Sequence, residues 1–309
     1  MTPGLAFYQA DRRSLAIGIL VLVIIIAVVY LISTGQIQIG AITPVGEAYV
    51  TATLSFADYF GDDENLPSTV DVRVFDYDQN TILLTTLNLG ETKTISTTSF
   101  AVQVNRPKFY VGVDTPQEDS KLWYVIYPPE VNDDAPTVIS GYTVYPVDLK
   151  SALGTLQANQ EYAYTMNILL AKTFNYTTLQ IPSELNITAG FTPSEDNPVA
   201  VGINGQMVAP EDETMYKGLT LYVIVPDNVT PTTVVFDGVA YELTKINDTA
   251  YKAYIGDTTF PTNETTKTLG VGLDITALGS YTVTIKIEGT LPSGTEQILA
   301  TASTTINVS

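Results

Sequence analysis

Eighteen consecutive apolar or small residues, Leu15 to Ile32 (LAIGILVLVIIIAVVYLI), directly follow Arg12 and Arg13, and no second run of that length occurs in the rest of the chain. A helix rises about 1.5 Å per residue, so the run covers roughly 27 Å, close to the hydrocarbon thickness of a bilayer. It offers no polar face to water, which predicts a single membrane-spanning helix over residues 15–34 and assigns the lipid bilayer as a partner of Leu15 to Ile32. After the arginine pair no Lys or Arg appears until Arg73. The positive-inside bias therefore puts residues 1–14 in the cytoplasm and everything beyond the span outside the cell membrane or virion membrane. A cleaved secretory signal would need a shorter apolar core and a small-x-small cleavage site, and neither is present.

Arg13-Ser14-Leu15 resembles the junction of a type IV prepilin-like leader, a charged residue and a small one ahead of an apolar helix. That resemblance implies cleavage before Leu15 and a freed helix packed into a filament, a second reading that stays open beside the retained anchor.

Outside the span there is enough chain for two domains with ordinary cores. Cysteine is absent, so an extracytoplasmic body here is held by packing and strand pairing rather than by disulfides. In this it resembles surface proteins of archaea and of archaeal viruses. Histidine is absent too. The two absences exclude His/Cys zinc sites, His-ligated haem, Ser-His-Asp triads and thiol nucleophiles. Glycoside hydrolysis by paired carboxylates needs neither residue, but no pair is singled out by its spacing, and the chain is read as non-enzymatic, without cofactor.

The formal net charge is −19, from 33 acidic and 14 basic residues, with the basic ones scattered. No Lys/Arg patch for phosphate can be assembled from them, which excludes nucleic acid as a partner. Charged residues are only 15% of the chain, against about a quarter in ordinary domains. Few cations leave little positive self-repulsion once carboxylates protonate, which points to a hot, acidic habitat.

Residues 35–46 (GQIQIGAITPVG) read as a linker in which Ile37 and Ile39 alternate with polar neighbours. Gln36 to Ile42 suits either a tether or strand addition to an adjacent subunit. Beyond it, runs with period-two alternation or β-branched and aromatic enrichment recur: Ala48 to Phe56, Val70 to Tyr77, Thr81 to Leu87, Phe109 to Val113, Leu122 to Tyr127 and Tyr162 to Leu170. Leu219 to Val225, Thr233 to Phe236, Ala250 to Ile255, Tyr281 to Glu288 and Gln297 to Val308 continue the series. Pro, Gly, Asp and Asn clusters separate them, and only Val147 to Leu153 reads as a short helical turn. The pattern predicts an all-β sandwich architecture.

Leu156-Gln-Ala-Asn-Gln-Glu-Tyr162 and Ile275-Thr-Ala-Leu-Gly-Ser-Tyr281 share the form aliphatic-x-Ala-x-x-x-Tyr, each opening an alternating strand. Each resembles the tyrosine corner of immunoglobulin-like and fibronectin type III-like sandwiches, where the hydroxyl bonds back to the backbone at the start of the penultimate strand. The resemblance implies that Tyr162 and Tyr281 mark one position in two tandem antiparallel β-sandwich domains, residues 47–182 and 183–309, behind the N-terminal transmembrane helix. It implies Thr177 to Ile181 as the last strand of the first domain, and Trp123 as a core residue.

Six Asn-x-Ser/Thr acceptors occur, at Asn175, Asn186, Asn228, Asn247, Asn263 and Asn307, all distal. They predict a glycosylated outer domain. The acidic pairs and triplets, Asp62-Asp63-Glu64, Glu118-Asp119, Asp133-Asp134, Glu195-Asp196 and Glu211-Asp212-Glu213, lack the grammar of a calcium loop. Asp76 to Asn80 lacks the following Gly and the distal Glu, and is read as a hairpin turn. The expectation is a membrane-anchored structural or adhesive surface protein whose sandwiches contact other surface or envelope proteins or copies of itself. A pilin-like subunit and an accessory subunit of a membrane complex or virion envelope are the rivals.

Overall fold

The computed structural model describes residues 46–61, 65–90 and 94–309. The predicted span, Arg12, Arg13, the strand-addition segment and Asp62 to Glu64 lie outside the described residues. Among those described, no helix is long and apolar enough to cross a membrane.

Residues 47–309 form one compact unit containing two large, separate hydrophobic cores. The strands of the first are β1 (Glu47–Asp58), β2 (Thr69–Phe75), β3 (Thr81–Asn88), β4 (Thr94–Ser96), β5 (Phe100–Gln103), β6 (Lys108–Asp114), β7 (Lys121–Ile126), β8 (Thr137–Ile139), β9 (Tyr142–Asp148) and β10 (Glu161–Phe174). One sheet runs β4-β1-β10-β7, with β5 also on β1, and the facing sheet runs β3-β2-β6-β9-β8. The short helix α1 (Leu149–Leu153) follows β9, where the Asp148 side chain caps it by accepting from Lys150 N at 3.0 Å.

Alternation fixes the register of this core. In β1, Ala48, Val50, Ala52, Leu54 and Phe56 are all fully buried, and a slip of one residue would turn all five to solvent. Val70, Val72, Val74, Phe109 and Val111 meet them from the other sheet. Trp123 is buried here as expected, with Nε1 donating to Asn65 O at 2.8 Å. The β2–β3 connection is a hairpin turn in which Asp76 accepts from the backbone N–H of Asn80 at 2.8 Å.

The second core is built from β11 (Thr178–Gln180), β12 (Glu184–Ile187), β13 (Val199–Val208), β14 (Thr214–Ile224), β15 (Val229–Phe236), β16 (Val239–Tyr241), β17 (Thr244–Asn247), β18 (Ala250–Phe260), β19 (Thr266–Ile275), β20 (Gly279–Thr290) and β21 (Glu296–Val308). Its sheets run β11-β13-β19-β15-β16 and β12-β21-β20-β14-β18-β17. Each predicted run overlaps one of these strands or those of the first core, and the runs ending at Tyr77, Tyr127 and Val225 overshoot β2, β7 and β14 by one or two residues.

Three features depart from expectation. Thr177 to Ile181 does not close the first core, because β10 already has β1 on one edge and β7 on the other. The short β11 pairs with β13 instead, and Leu179 packs into the second core. Pairing is also not wholly antiparallel, since β1 runs parallel to β10 and β12 parallel to β21. Finally, β10 and β21 are thereby the equivalent strands, so Tyr162 on β10 and Tyr281 on β20 do not mark the same position.

Strands β13 and β19 escaped the sequence pattern because glycines interrupt them. A Cβ on Gly205 would stand 2.6 Å from Gln180 O, and one on Gly272 would stand 2.7 Å from Thr233 Cγ2. Close approach of neighbours requires these glycines.

Phe109→Ala, at a fully buried site in the first core, is expected to cost about 3–5 kcal/mol. Trp123 is the sole tryptophan and lies in that core, so its fluorescence during urea unfolding reads the loss directly.

Candidate functional site

The two cores meet through a third, smaller apolar cluster. Tyr124 and Ile126 of β7, Ala171 of β10 and Phe60 from the first half pack against Met215 of β14. These residues face away from the main core because β7 and β10 alternate, which leaves their outer side chains for the neighbour. The Tyr124 hydroxyl donates to Thr290 O at the end of β20. Tyr216 donates to Tyr176 O at 2.9 Å, and Gln297 Nε2 to Asn175 O at 3.1 Å, tying the connecting segment to the second core.

A polar network borders this cluster. Lys172 on β10 is 5% exposed, and its Nζ donates to Asn65 Oδ1 at 2.8 Å and to Glu211 Oε2 at 2.9 Å. Asn65 Nδ2 donates in turn to Glu213, which also accepts from Thr262. None of these residues was singled out from the sequence apart from the acidic triplet. The available signal was one lysine inside the apolar run NILLAKTF.

Alongside lies an open cleft of about 620 Å³, lined in part by Asp114, Tyr127, Asp133, Tyr145, Lys217 and Pro292. Burial pushes the Tyr124 and Tyr127 hydroxyls well above the ordinary tyrosine range. Burial, then Asp133 and Asp114, push Tyr145 the same way. Phenols held neutral next to carboxylates suit hydrogen bonding and apolar contact. Among the described residues no three acidic side chains gather as a metal site. Glu118 accepts from Ser68 N, Asp212 from Asn263 N and Glu213 from Thr262.

The asparagines of the six Asn-x-Ser/Thr motifs are scattered from residue 175 to residue 307. Asn186, Asn228, Asn247 and Asn263 are exposed, while Asn175 and Asn307 are half-buried. Asn228 and Asn263 occupy turns with φ of 66°. Asn247 ends the fully exposed β17. Asn307 Nδ2 is already engaged, donating to Glu184 at 2.7 Å and to Asn186 at 2.9 Å. Of the two tyrosines, Tyr281 donates to Ala277 O at 2.9 Å, whereas the Tyr162 hydroxyl accepts from Gln157 N at 2.9 Å.

No protein-family model and no curated protein matches the chain. Among solved structures, the major pilin subunit BcpA of Bacillus cereus is similar at 13% identity, covering 84% of this chain and 69% of that one, with a TM-score of 0.34. A cohesin module from a family 33 glycoside hydrolase of Clostridium perfringens has 6% identity over 43% of this chain and 96% of its own, with a TM-score of 0.32. The collagen-binding domain of a Staphylococcus aureus adhesin has 8% identity over 43% and 97%, with a TM-score of 0.26.

Alkaline titration tests the buried phenols. An unfolded tyrosine ionises near about pH 10, whereas buried Tyr124, Tyr127, Tyr164 and Tyr216 hold their protons to higher pH. Above about pH 10 the unfolded chain therefore binds fewer protons than the folded one, and stability falls as pH rises. Below that pH the contribution is complete. Tyr124→Phe is expected to cost about 1 kcal/mol at neutral pH through the lost bond to Thr290 and to flatten the alkaline decline. Urea unfolding at neutral and alkaline pH measures both.

Proposed function

We propose that this chain is a membrane-anchored surface protein with a structural or adhesive role, in which residues 47–309 form a stiff β body that contacts other surface or envelope proteins or copies of itself. The observation that carries this reading is the junction between the two cores. Buried apolar contact through Phe60, Tyr124, Ile126, Ala171 and Met215, bordered by the Lys172 network, is suited to transmit position along the body rather than to open and close around a small ligand. Inter-domain contacts are mobile by default unless they are substantial and apolar.

The anchor in this reading is Leu15 to Ile32, with Arg12 and Arg13 on the cytoplasmic side. The absence of Cys and His suits a role in which the chain performs no thiol, imidazole or metal chemistry. Exposed Asn186, Asn228, Asn247 and Asn263 are the acceptors best placed to carry glycans, and bulky sugars there would screen the outer half from proteases.

Protease added to sealed native membranes tests the topology. The expected outcome is digestion of the 47–309 body from outside, with a protected fragment containing Leu15 to Ile32 whose N-terminus precedes Arg12. A mature N-terminus at Leu15 would select the pilin-like reading, and recovery of the whole chain in the cytosol would overturn both. Glycopeptide mass spectrometry of the same material is expected to find sugar on Asn247 and Asn263 ahead of Asn307.

A further inference from the structure

The junction holds a constellation that a simple contact surface does not use. Lys172 interrupts the apolar pattern of β10, is 5% exposed, and lies with its Nζ 5.9 Å from the Phe174 ring centroid. Its Nζ reaches Asn65 Oδ1 at 2.8 Å and Glu211 Oε2 at 2.9 Å. The carboxamide of Asn65 is gripped at both ends, because its Nδ2 donates to Glu213, a carboxylate only 8% exposed. The Asn65 backbone is pinned by Trp123 Nε1 at 2.8 Å. An amine, a primary carboxamide and two carboxylates therefore meet at one site, with Lys172 and Glu213 buried, Asn65 half-buried and Glu211 at the solvent edge, and the electrophilic carbon of Asn65 is one bond from the oxygen that the amine touches.

We propose that Lys172 and Asn65 join in an intramolecular isopeptide bond. Glu211 takes a proton from the Lys172 ammonium, freeing the lone pair on Nζ. That pair attacks Cγ of Asn65, forming the Nζ–Cγ bond and a tetrahedral oxyanion. The proton that Nζ sheds on bond formation passes through Glu213 to Nδ2. The Cγ–Nδ2 bond then breaks and ammonia leaves, carrying off the proton held by Glu211 as ammonium. One ammonium ion is released for one amide formed, and no oxidant or co-reactant is required. Holding the reacting groups in contact supplies the orientation that such a step needs.

The position of the second carboxylate is what separates this arrangement from an ordinary ion pair. Glu211 alone would satisfy the Lys172 charge. Glu213 touches instead the nitrogen that must depart, which is where an acid serves an acyl transfer. Lys172 and Asn65 are 107 positions apart, so the link would close a long loop and restrain the unfolded chain as a disulfide does in proteins that contain cysteine.

Intact mass and peptide mapping of the full chain decide the matter, using protein made in a bacterial host that adds no glycans and extracted in detergent. The expected result is a mass one ammonia below that of the sequence, no tryptic cleavage after Lys172, and a branched peptide joining the Lys172 and Asn65 segments. Lys172→Arg and Glu213→Gln are expected to show their full sequence masses. A wild-type chain of full mass, or a chain lighter by one ammonia without the branched peptide, would overturn the proposal. Linkage persisting in Glu213→Gln would remove Glu213 from its role as the acid. The wild-type measurement suffices by itself should either variant fail to fold.

Discussion

Strand β10 is the element on which the body between residues 47 and 309 depends. It is paired along its first part with β1 in parallel and along its last part with β7 in antiparallel register. Its inward side chains, Tyr164, Met166, Ile168 and Leu170, fill the first core. Past Leu170 the same strand turns Ala171 toward the junction cluster and carries Lys172 to the polar network beside it. One continuous ladder thus serves a core and an interface at once. A break in it would loosen the first sheet and also withdraw the platform on which the second half rests.

That economy matters for a chain without cysteine. A disulfide restrains the unfolded ensemble; without one, burial, hydrogen bonding and the proposed Lys172–Asn65 link oppose chain entropy. The residues concerned are placed accordingly. Tyr124 contributes ring area to the junction and a hydroxyl to Thr290 O, so a single side chain supplies apolar contact and direction. Arg73, 7% exposed, pairs with Asp114 and lies 4.3 Å over the Tyr142 ring, bracing the far sheet by similar means.

Much of the strand inventory could be read from period-two alternation, as in β1, where every second residue from Ala48 to Phe56 is fully buried. The turn at Asp76 to Asn80 was legible for the same local reason, and so was the helical turn read over Val147 to Leu153, although its first two residues end β9 and the helix begins at Leu149. What escaped was long-range. Gly205 and Gly272 look like breaks in a strand until the neighbours that crowd them are seen. The allegiance of Leu179 to the second core depends on β10 having both edges occupied. The paired motifs around Tyr162 and Tyr281 are alike locally, yet lie on strands with different partners. Asn65, Lys172, Glu211 and Glu213 meet across more than a hundred residues of chain, and no periodicity reports such a meeting.

The central claim is that the junction holds the two cores as one body. The cysteine-free background allows two thiols to be introduced without interference, at Val138 in the first half and Tyr254 in the second, exposed by 69% and 68%. Electron–electron double resonance between spin labels at these positions measures the separation of the cores directly. A single narrow distance distribution is predicted, and a broad or bimodal one would contradict the account.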